Sequence, residues 1–259
     1  LGLLDFGARY YDPFTTRWNA VDPLAHKYFS ISPYSYCGND PICYLDPTGS
    51  YVSTHTDENG YVLAVYDDGD LGVYMHENGT TKEALDSKHT KENTSAGGTK
   101  MGESWQIDSF ESFLKYEKPI IIYGSRELTD RVDQIMDSNP SIAKYALMAQ
   151  GGGDWDIKTK VMNGSLLYGK YASPRDAGNF AAGMFSQSKG EFWSAIIDFG
   201  YGAYNVCGNK KLPTALLTAF VLFSPNTANY MSYLAEHGEA PISKNIQQMG
   251  KIYYKEKRK

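Results

Sequence analysis

The spacing of apolar residues shifts along this chain from mostly alternating to mostly helical, and that shift sets the fold class. Up to residue 76, apolar residues come in short alternating runs, such as Tyr61-Val62-Leu63-Ala64-Val65-Tyr66 and Leu71-Gly72-Val73-Tyr74-Met75. Gly, Pro, Asp and Asn punctuate them, as expected of strands and turns. From Leu128 onward apolar residues recur at helical spacing, so one face of each segment can be buried. The chain is therefore expected to be α+β. A β-rich beginning and a hairpin region precede a mostly α-helical C-terminal domain.

The same reading places individual elements. Residues 60–76 read as a hairpin, with Asp67-Asp68-Gly69-Asp70 as its turn. An EF-hand loop would need a further liganding position followed by Gly and a distal Glu, which are absent, whereas Asp-Gly suits a tight turn. Residues 77–103 are polar and read as a linker or long exposed loop. A short helix is expected over Ile107 to Tyr116, a buried strand over Pro119 to Tyr123 and a helix over Leu128 to Met136. Ser141 is placed to cap a helix ending near Gln150, before Gly151-Gly152-Gly153. Asp156 to Met162 alternates like an extended segment. Helical spacing then marks Arg175 to Ser186, Glu191 to Tyr204, Thr214 to Phe223, Thr227 to His237 and Ser243 to Tyr254.

With 259 residues, 42% of them hydrophobic, one or two domains can bury a core. The longest apolar run, Ala215 to Phe223, is about half of the roughly 20 residues a membrane helix needs, so stable membrane insertion is not expected. Cys37, Cys43 and Cys207 form neither a disulfide framework nor a zinc pattern. Absence of an initiator Met and of a signal peptide reads as the tail of a longer protein. Charge is uneven: residues 1–139 carry 11 Lys+Arg and 22 Asp+Glu, and residues 140–259 carry 14 and 8. The basic half suits a polyanionic target, while its last residues, Lys251 to Lys259, equally suit a solvated tail.

Three constellations can carry chemistry. In an extended Trp155-Asp156-Ile157-Lys158-Thr159-Lys160, alternate side chains share a face, so Asp156, Lys158 and Lys160 would point together. A carboxylate beside ammonium groups suits a phosphodiester site, and the plain alternative is a solvated strand face. In Ser173-Pro174-Arg175-Asp176-Ala177-Gly178-Asn179, Ser173 fits an N-cap, Pro174 the first helical position and Asp176 the third. Asp176 and Asn179 share a helix face beside Arg175 at the positive end of the helix, a suitable place for phosphate. Gly178 and Gly183 admit either a ligand or a second helix. In Asp198 to Asn205, the spacing of Tyr201 and Tyr204 fits core packing or a base contact. His237 sits in Ala235-Glu236-His237-Gly238, as a helix-ending residue or a general base. No motif calls for a metal or a cofactor: His-Glu-x-x-His, paired Cys, P-loop and Gly-x-Ser-x-Gly are all missing.

The first fifty residues are the most distinctive. They contain Asp5-Phe6-Gly7-Ala8-Arg9-Tyr10-Tyr11-Asp12-Pro13, Arg17-Trp18, Val21-Asp22-Pro23-Leu24, Ser32-Pro33-Tyr34-Ser35-Tyr36, Asn39-Asp40-Pro41 and Asp46-Pro47-Thr48-Gly49. This run closely resembles the end of the RHS repeat-associated core of RHS/YD-repeat proteins. In that family the repeats wind into a β-shell, and a variable C-terminal cargo, very often a toxin, follows the final Asp-Pro-x-Gly. The resemblance implies an upstream RHS shell in the same polypeptide, a cognate immunity protein, and secretion or delivery from a bacterium into a target cell. It also implies self-cleavage after Ser50 by the paired aspartates Asp22 and Asp46. Ala25 and Ser50 stand where Gly and Leu are typical.

Residues 154–205 are similar to the polymorphic toxin type 44 group, whose members are expected to attack RNA. The shared positions are Asp156 and Lys158, then Asp176, Gly178 and Asn179, then Gly202, Ala203 and Tyr204. Phe180-Ala181-Ala182-Gly183 departs from a more usual His/Tyr-containing stretch. The expected division is 1–50 as the end of the RHS core, 51–103 as hairpin and linker, and 104–259 as the toxin domain. The expected activity is that of a nuclease on RNA, with Asp156, Lys158, Arg175, Asp176 and Asn179 at one site and His237 as an outside candidate. The alternatives are a peptidoglycan hydrolase using Glu191 and Glu236, and a non-enzymatic binding or membrane-perturbing effector using Leu216 to Phe223.

Overall fold

The structure, a computed structural model, describes residues 4–5, 10–12, 15, 17–21, 32, 34, 52–105, 120–194, 196–198 and 241–257. Its fold class is α+β. The chain divides into two compact units, residues 1–123 with 169–171, and residues 124–168 with 172–259. Asp22, Asp46 and His237 lie outside the described residues, as do the expected helices over 107–116, 214–223 and 227–237.

Among its described residues, the first unit contains two sheets. Strands β1 (Leu4–Asp5), β2 (Tyr10–Asp12) and β3 (Arg17–Trp18) form an antiparallel meander with Leu4 opposite Tyr11 and Tyr11 opposite Trp18. Trp18 is buried, and its backbone N–H donates to the Tyr34 carbonyl at 3.0 Å. The larger sheet runs β5-β4-β6-β7, with β4 at Val52–Thr56, β5 at Val62–Asp67, β6 at Gly72–Met75 and β7 at Thr99–Glu103. β4 pairs antiparallel with β5 and parallel with β6. The turn from β4 to β5 is held by Asp57, whose Oδ1 accepts from the N–H groups of Asn59 and Tyr61. Gly60 ends it at φ +83°, where a Cβ would stand 2.1 Å from the Ile121 carbonyl oxygen.

Two expectations for this unit are overturned. β5 and β6 do not form a hairpin, because β4 lies between them. Val-Ser-Thr-His-Thr lacks an apolar alternation, yet its last four residues are fully buried. β-branched residues suit a pleated central strand; the side chains of Ser53, His55 and Thr56 find hydrogen-bond partners, whereas Thr54 Oγ1 is buried without one among the described residues. Residues 77–103 are not a linker either: they hold helix α1 (Lys82–Lys88) and edge strand β7. Thr81 caps α1 by accepting from the Ala84 N–H, and Leu85 anchors it in a small core with Ala64 and Ala96. One buried leucine in seven helical residues leaves almost no periodic signal. Of the expected strand at 119–123, Ile120 bridges to Tyr61 and Ile121 is buried.

The second unit is mostly helical among its described residues. Helix α2 (Glu127–Asp137) buries Leu128, Val132, Ile135 and Met136 on one face. Its first turn receives β8 (Ser165–Leu167): the Leu128 N–H donates to Ser165 Oγ, and Thr129 Oγ1 donates to the Leu166 carbonyl. Helix α3 (Ile142–Ala149) is capped by Ser141 as its sequence predicts. A third expectation fails here: Asp156 to Met162 is not extended, because Ile157–Lys160 forms one helical turn, α4, in which Ile157 is buried. The alternation in the sequence reflects a single inward apolar residue between exposed lysines. After β9 (Lys170–Ala172), helix α5 (Pro174–Ser188) packs on helix α6 (Pro241–Lys257). At the crossing, a Cβ on Gly183 would lie 1.8 Å from the Gln247 carbonyl oxygen, and one on Gly250 would lie 2.1 Å from that of Phe180. Each backbone touches the other, which only glycine permits.

Candidate functional site

The residues singled out in the second unit sit on two elements that pack together. Ile157 of α4 lies against α5, where a Cβ on Gly178 would meet the Ile157 Cβ at 4.0 Å. Asp156 precedes α4 and is buried, and its carboxylate accepts from the Gly152 N–H at 2.7 Å. Asp176 is also buried and accepts from Ser173 Oγ at 2.9 Å, while its own N–H donates to that oxygen at 3.2 Å. Lys158 and Arg175 are exposed, and Asn179 is half-buried. Both acids therefore brace the loop and the helix start beside them, and the exposed cations border the same pair of elements.

A second polar cluster, which sequence reasoning missed, fills the larger sheet of the first unit. Ser53 and His55 project from one face of β4, Asp68 from the turn after β5, His76 from the residue after β6, and His89 from the C-cap of α1. All but His89 are buried below a tenth of their surface. Ser53 Oγ donates to Asp68 Oδ2 at 2.6 Å and lies 3.1 Å from His55 Nε2. His55 Nδ1 lies 2.8 Å from His76 Nε2, and His89 Nε2 lies 2.8 Å from Asp68 Oδ2. Aromatic rings wall the group: Tyr74 stacks on His55 at 5.4 Å and Tyr66 on His89 at 3.8 Å.

Counting protons gives this chain a direction. Ser53 has one hydroxyl proton and gives it to Asp68, so it accepts from His55 Nε2–H. Neutral His55 then has a bare Nδ1, which accepts from His76 Nε2–H. Neutral His76 is left with a bare Nδ1 that has no hydrogen-bond partner among the described residues. The line runs from His76 through His55 and Ser53 to the Asp68 carboxylate. Burial, reinforced by the nearby His76 and His89 and opposed weakly by Asp70, lowers the His55 pKa to about 3. Burial and the Lys88 ammonium also lower that of His76. Both rings are therefore neutral near pH 7.

The acids of the turn are occupied by donors. Asp68 also accepts from the Asp70 N–H, at 3.0 Å. Asp70 takes the Tyr74 hydroxyl at 2.5 Å, Thr94 Oγ1 at 2.8 Å and the Gly72 N–H at 2.9 Å. Burial works to raise the Asp70 pKa, but these hydrogen bonds outweigh it and the net shift is downward. Among the described residues no group of His, Cys, Asp and Glu is arranged to hold a metal ion. The facing nitrogens of His55 and His76, 2.8 Å apart, leave no room for one between them.

A cleft of about 360 Å³ opens beside His76, lined also by Glu58, Glu77, Thr80, Lys88 and Thr99. Gly98 makes the ring's position possible, since a Cβ there would stand 2.6 Å from it. The available sequence signal was small: three of the five histidines fall within 35 positions, and Ser53 and His55 alternate on one strand.

Compared with known proteins, the chain matches no family model and no solved structure. A stretch of 53 residues, 20% of this chain, is 40% identical to Salivary gland surface protein 1 of Aedes aegypti. The match spans only 2% of that protein's length.

Proposed function

We propose that this chain is the C-terminal region of an RHS-family polymorphic toxin whose cargo is a nuclease acting on RNA in a competing cell. The observation that carries the reading is the ordered run of motifs from Asp5 to Gly49, ending in Asp46-Pro47-Thr48-Gly49. The cargo follows that end, an upstream RHS shell encloses it, and an immunity protein protects the producer. The similarity of residues 154–205 to the type 44 group supports RNA as the target. The basic balance of residues 140–259 supports a polyanionic one. In this reading Lys158 and Arg175 hold the phosphate, Asn179 orients the attacking group, and Asp156, Asp176 or His237 handles the proton.

Peptidoglycan hydrolysis is less well supported. A glycosidase acid needs a raised pKa. Glu191 is held below the usual carboxylate range by hydrogen bonds from Lys255 and Gln187. No helix among the described residues is long and apolar enough to cross a bilayer, and the segment Leu216 to Phe223 lies outside them. The compartment of killing tests the reading. Expressed in the cytoplasm of a susceptible bacterium, the chain is expected to stop growth and deplete RNA. Toxicity seen only after export to the periplasm would overturn it.

A further inference from the structure

We propose that the cleft beside His76 binds one nucleotide of an RNA strand, with the phosphate against Lys88 and the His76 ring and the base against Glu58 and Glu77. The choice of ligand rests on the RNA reading above, while the cleft and its chemistry stand on the first unit alone. At about 360 Å³ the cleft lies at the small end of the range for ligand pockets, roughly 300 to 1,000 Å³. Its walls carry both signs of charge. Lys88 is exposed, forms no salt bridge among the described residues, and acts on His76. Glu58 is held in place by the Asn78 amide at 2.7 Å, and Asn78 by Asn59 at 3.0 Å.

A bare anion would meet the two glutamates, and a bare cation would meet Lys88. A nucleotide satisfies both walls, because a phosphate and a donor-bearing base edge are joined in one molecule. Guanine fits best. Its adjacent N1–H and N2–H₂ groups match the two oxygens of a carboxylate, whereas uracil offers one N–H between two carbonyls. The hydroxyls of Thr80 and Thr99 add donors for phosphate or sugar oxygens.

The bare Nδ1 of His76 gives the site a proton to gain. The groups around that ring are His55 from β4, Glu58 from the turn after it, the adjoining Glu77, and Lys88 from α1. β7 contributes Thr99, while its Lys100 pairs with Glu103. A bound phosphate offsets the Lys88 charge and favours imidazolium, so binding takes up a proton and tightens as pH falls from about 8 to 6. His55, Ser53 and Asp68 are positioning residues. They fix the Nε2 side of the ring so that Nδ1 remains the nitrogen that titrates.

The test is NMR of the imidazole signals of the full chain, titrated with a 2′-deoxy guanosine-cytidine dinucleotide. Its phosphodiester keeps one charge across this pH range, and it has no 2′-hydroxyl to react. Saturable shifts of the His76 ring are expected, with affinity rising as pH falls. Lys88→Ala, at an exposed position, should weaken binding by about tenfold or more, as should the deoxyuridine counterpart of the probe. His76→Gln should remove the pH dependence, and Ser53→Ala should flatten it while leaving the fold's backbone signals in place. An unmoved His76 signal at saturating probe, or equal affinity in Lys88→Ala, overturns the proposal. The two readings separate cleanly. RNA cleavage with a silent cleft sinks the cleft alone, and a dinucleotide bound by a chain that cuts no RNA supports the cleft and sinks the nuclease.

Discussion

At the residue scale, His55 sets a pH limit on the first unit. Its pKa is about 3 in the folded chain against an ordinary 6.5, so below that ordinary value the unfolded chain binds more protons than the folded one. The stabilising contribution is complete above about pH 6.5 and is lost as pH falls, by roughly 1.4 kcal/mol per pH unit for one ring. His76 is shifted in the same direction. The melting temperature should therefore drop between about pH 7 and pH 5. A His55→Gln variant should melt lower at neutral pH but show a shallower slope, and a wild-type melting temperature flat across that range would contradict the buried neutral pair. In the second unit, Lys158→Ala and Asn179→Ala should reduce toxicity without changing the melting temperature, because neither side chain has an evident structural duty. Asp176→Ala answers less, since it removes part of a cap and costs about 1 kcal/mol by itself. Full toxicity in both of the first two variants would move the site elsewhere. Local chemistry was legible: Ser173, Pro174 and Asp176 form the cap their order predicts. The histidine cluster was not, because five residues from four segments meet only after β4 has taken its place inside its sheet.

At the scale of elements, glycine spacing predicted close packing, and the structure separates the two glycines of α5. Gly183 touches the backbone of α6, whereas Gly178 has ordinary space beside Ile157. Gly183→Ala should therefore destabilise the chain by about 1 to 3 kcal/mol through overpacking, with Gly250→Ala behaving alike. Gly178→Ala should stabilise it by up to about 1 kcal/mol, the helical advantage of alanine. Chemical denaturation of the three variants checks this, and equal effects at 178 and 183 would mean that α5 and α6 do not cross as described. Helices with an amphipathic stripe, such as 127–137 and 174–188, were readable to within a residue or two because the signal is local. Strand order was not. The alternation in β5 and β6 was read as a hairpin, but partner choice depended on Val52–Thr56, whose buried face is polar. The turn of α4 was missed for a related reason, since four residues are too few to show a period.

At the scale of the whole molecule, two kinds of information met in one chain. In the proposed reading, the first fifty residues give context through ordered motifs, and the residues after them carry the cargo. Charge follows a similar division, acidic over 1–139 and basic over 140–259. The acidic part nevertheless contains the histidine network and its cleft, which composition alone would have assigned to packing. The proposed nuclease accounts for the ordered motifs of residues 5–49, a basic C-terminal half, and exposed cations on α4, on α5 and beside His76. The most direct measurement is to incubate the purified chain, in parallel, with total RNA, duplex DNA and peptidoglycan, and to follow each for fragments. RNA alone should be degraded, and the Lys158→Ala variant should leave it largely intact. Degradation of peptidoglycan with RNA untouched, or of none of the three by a chain that still kills, would contradict the account.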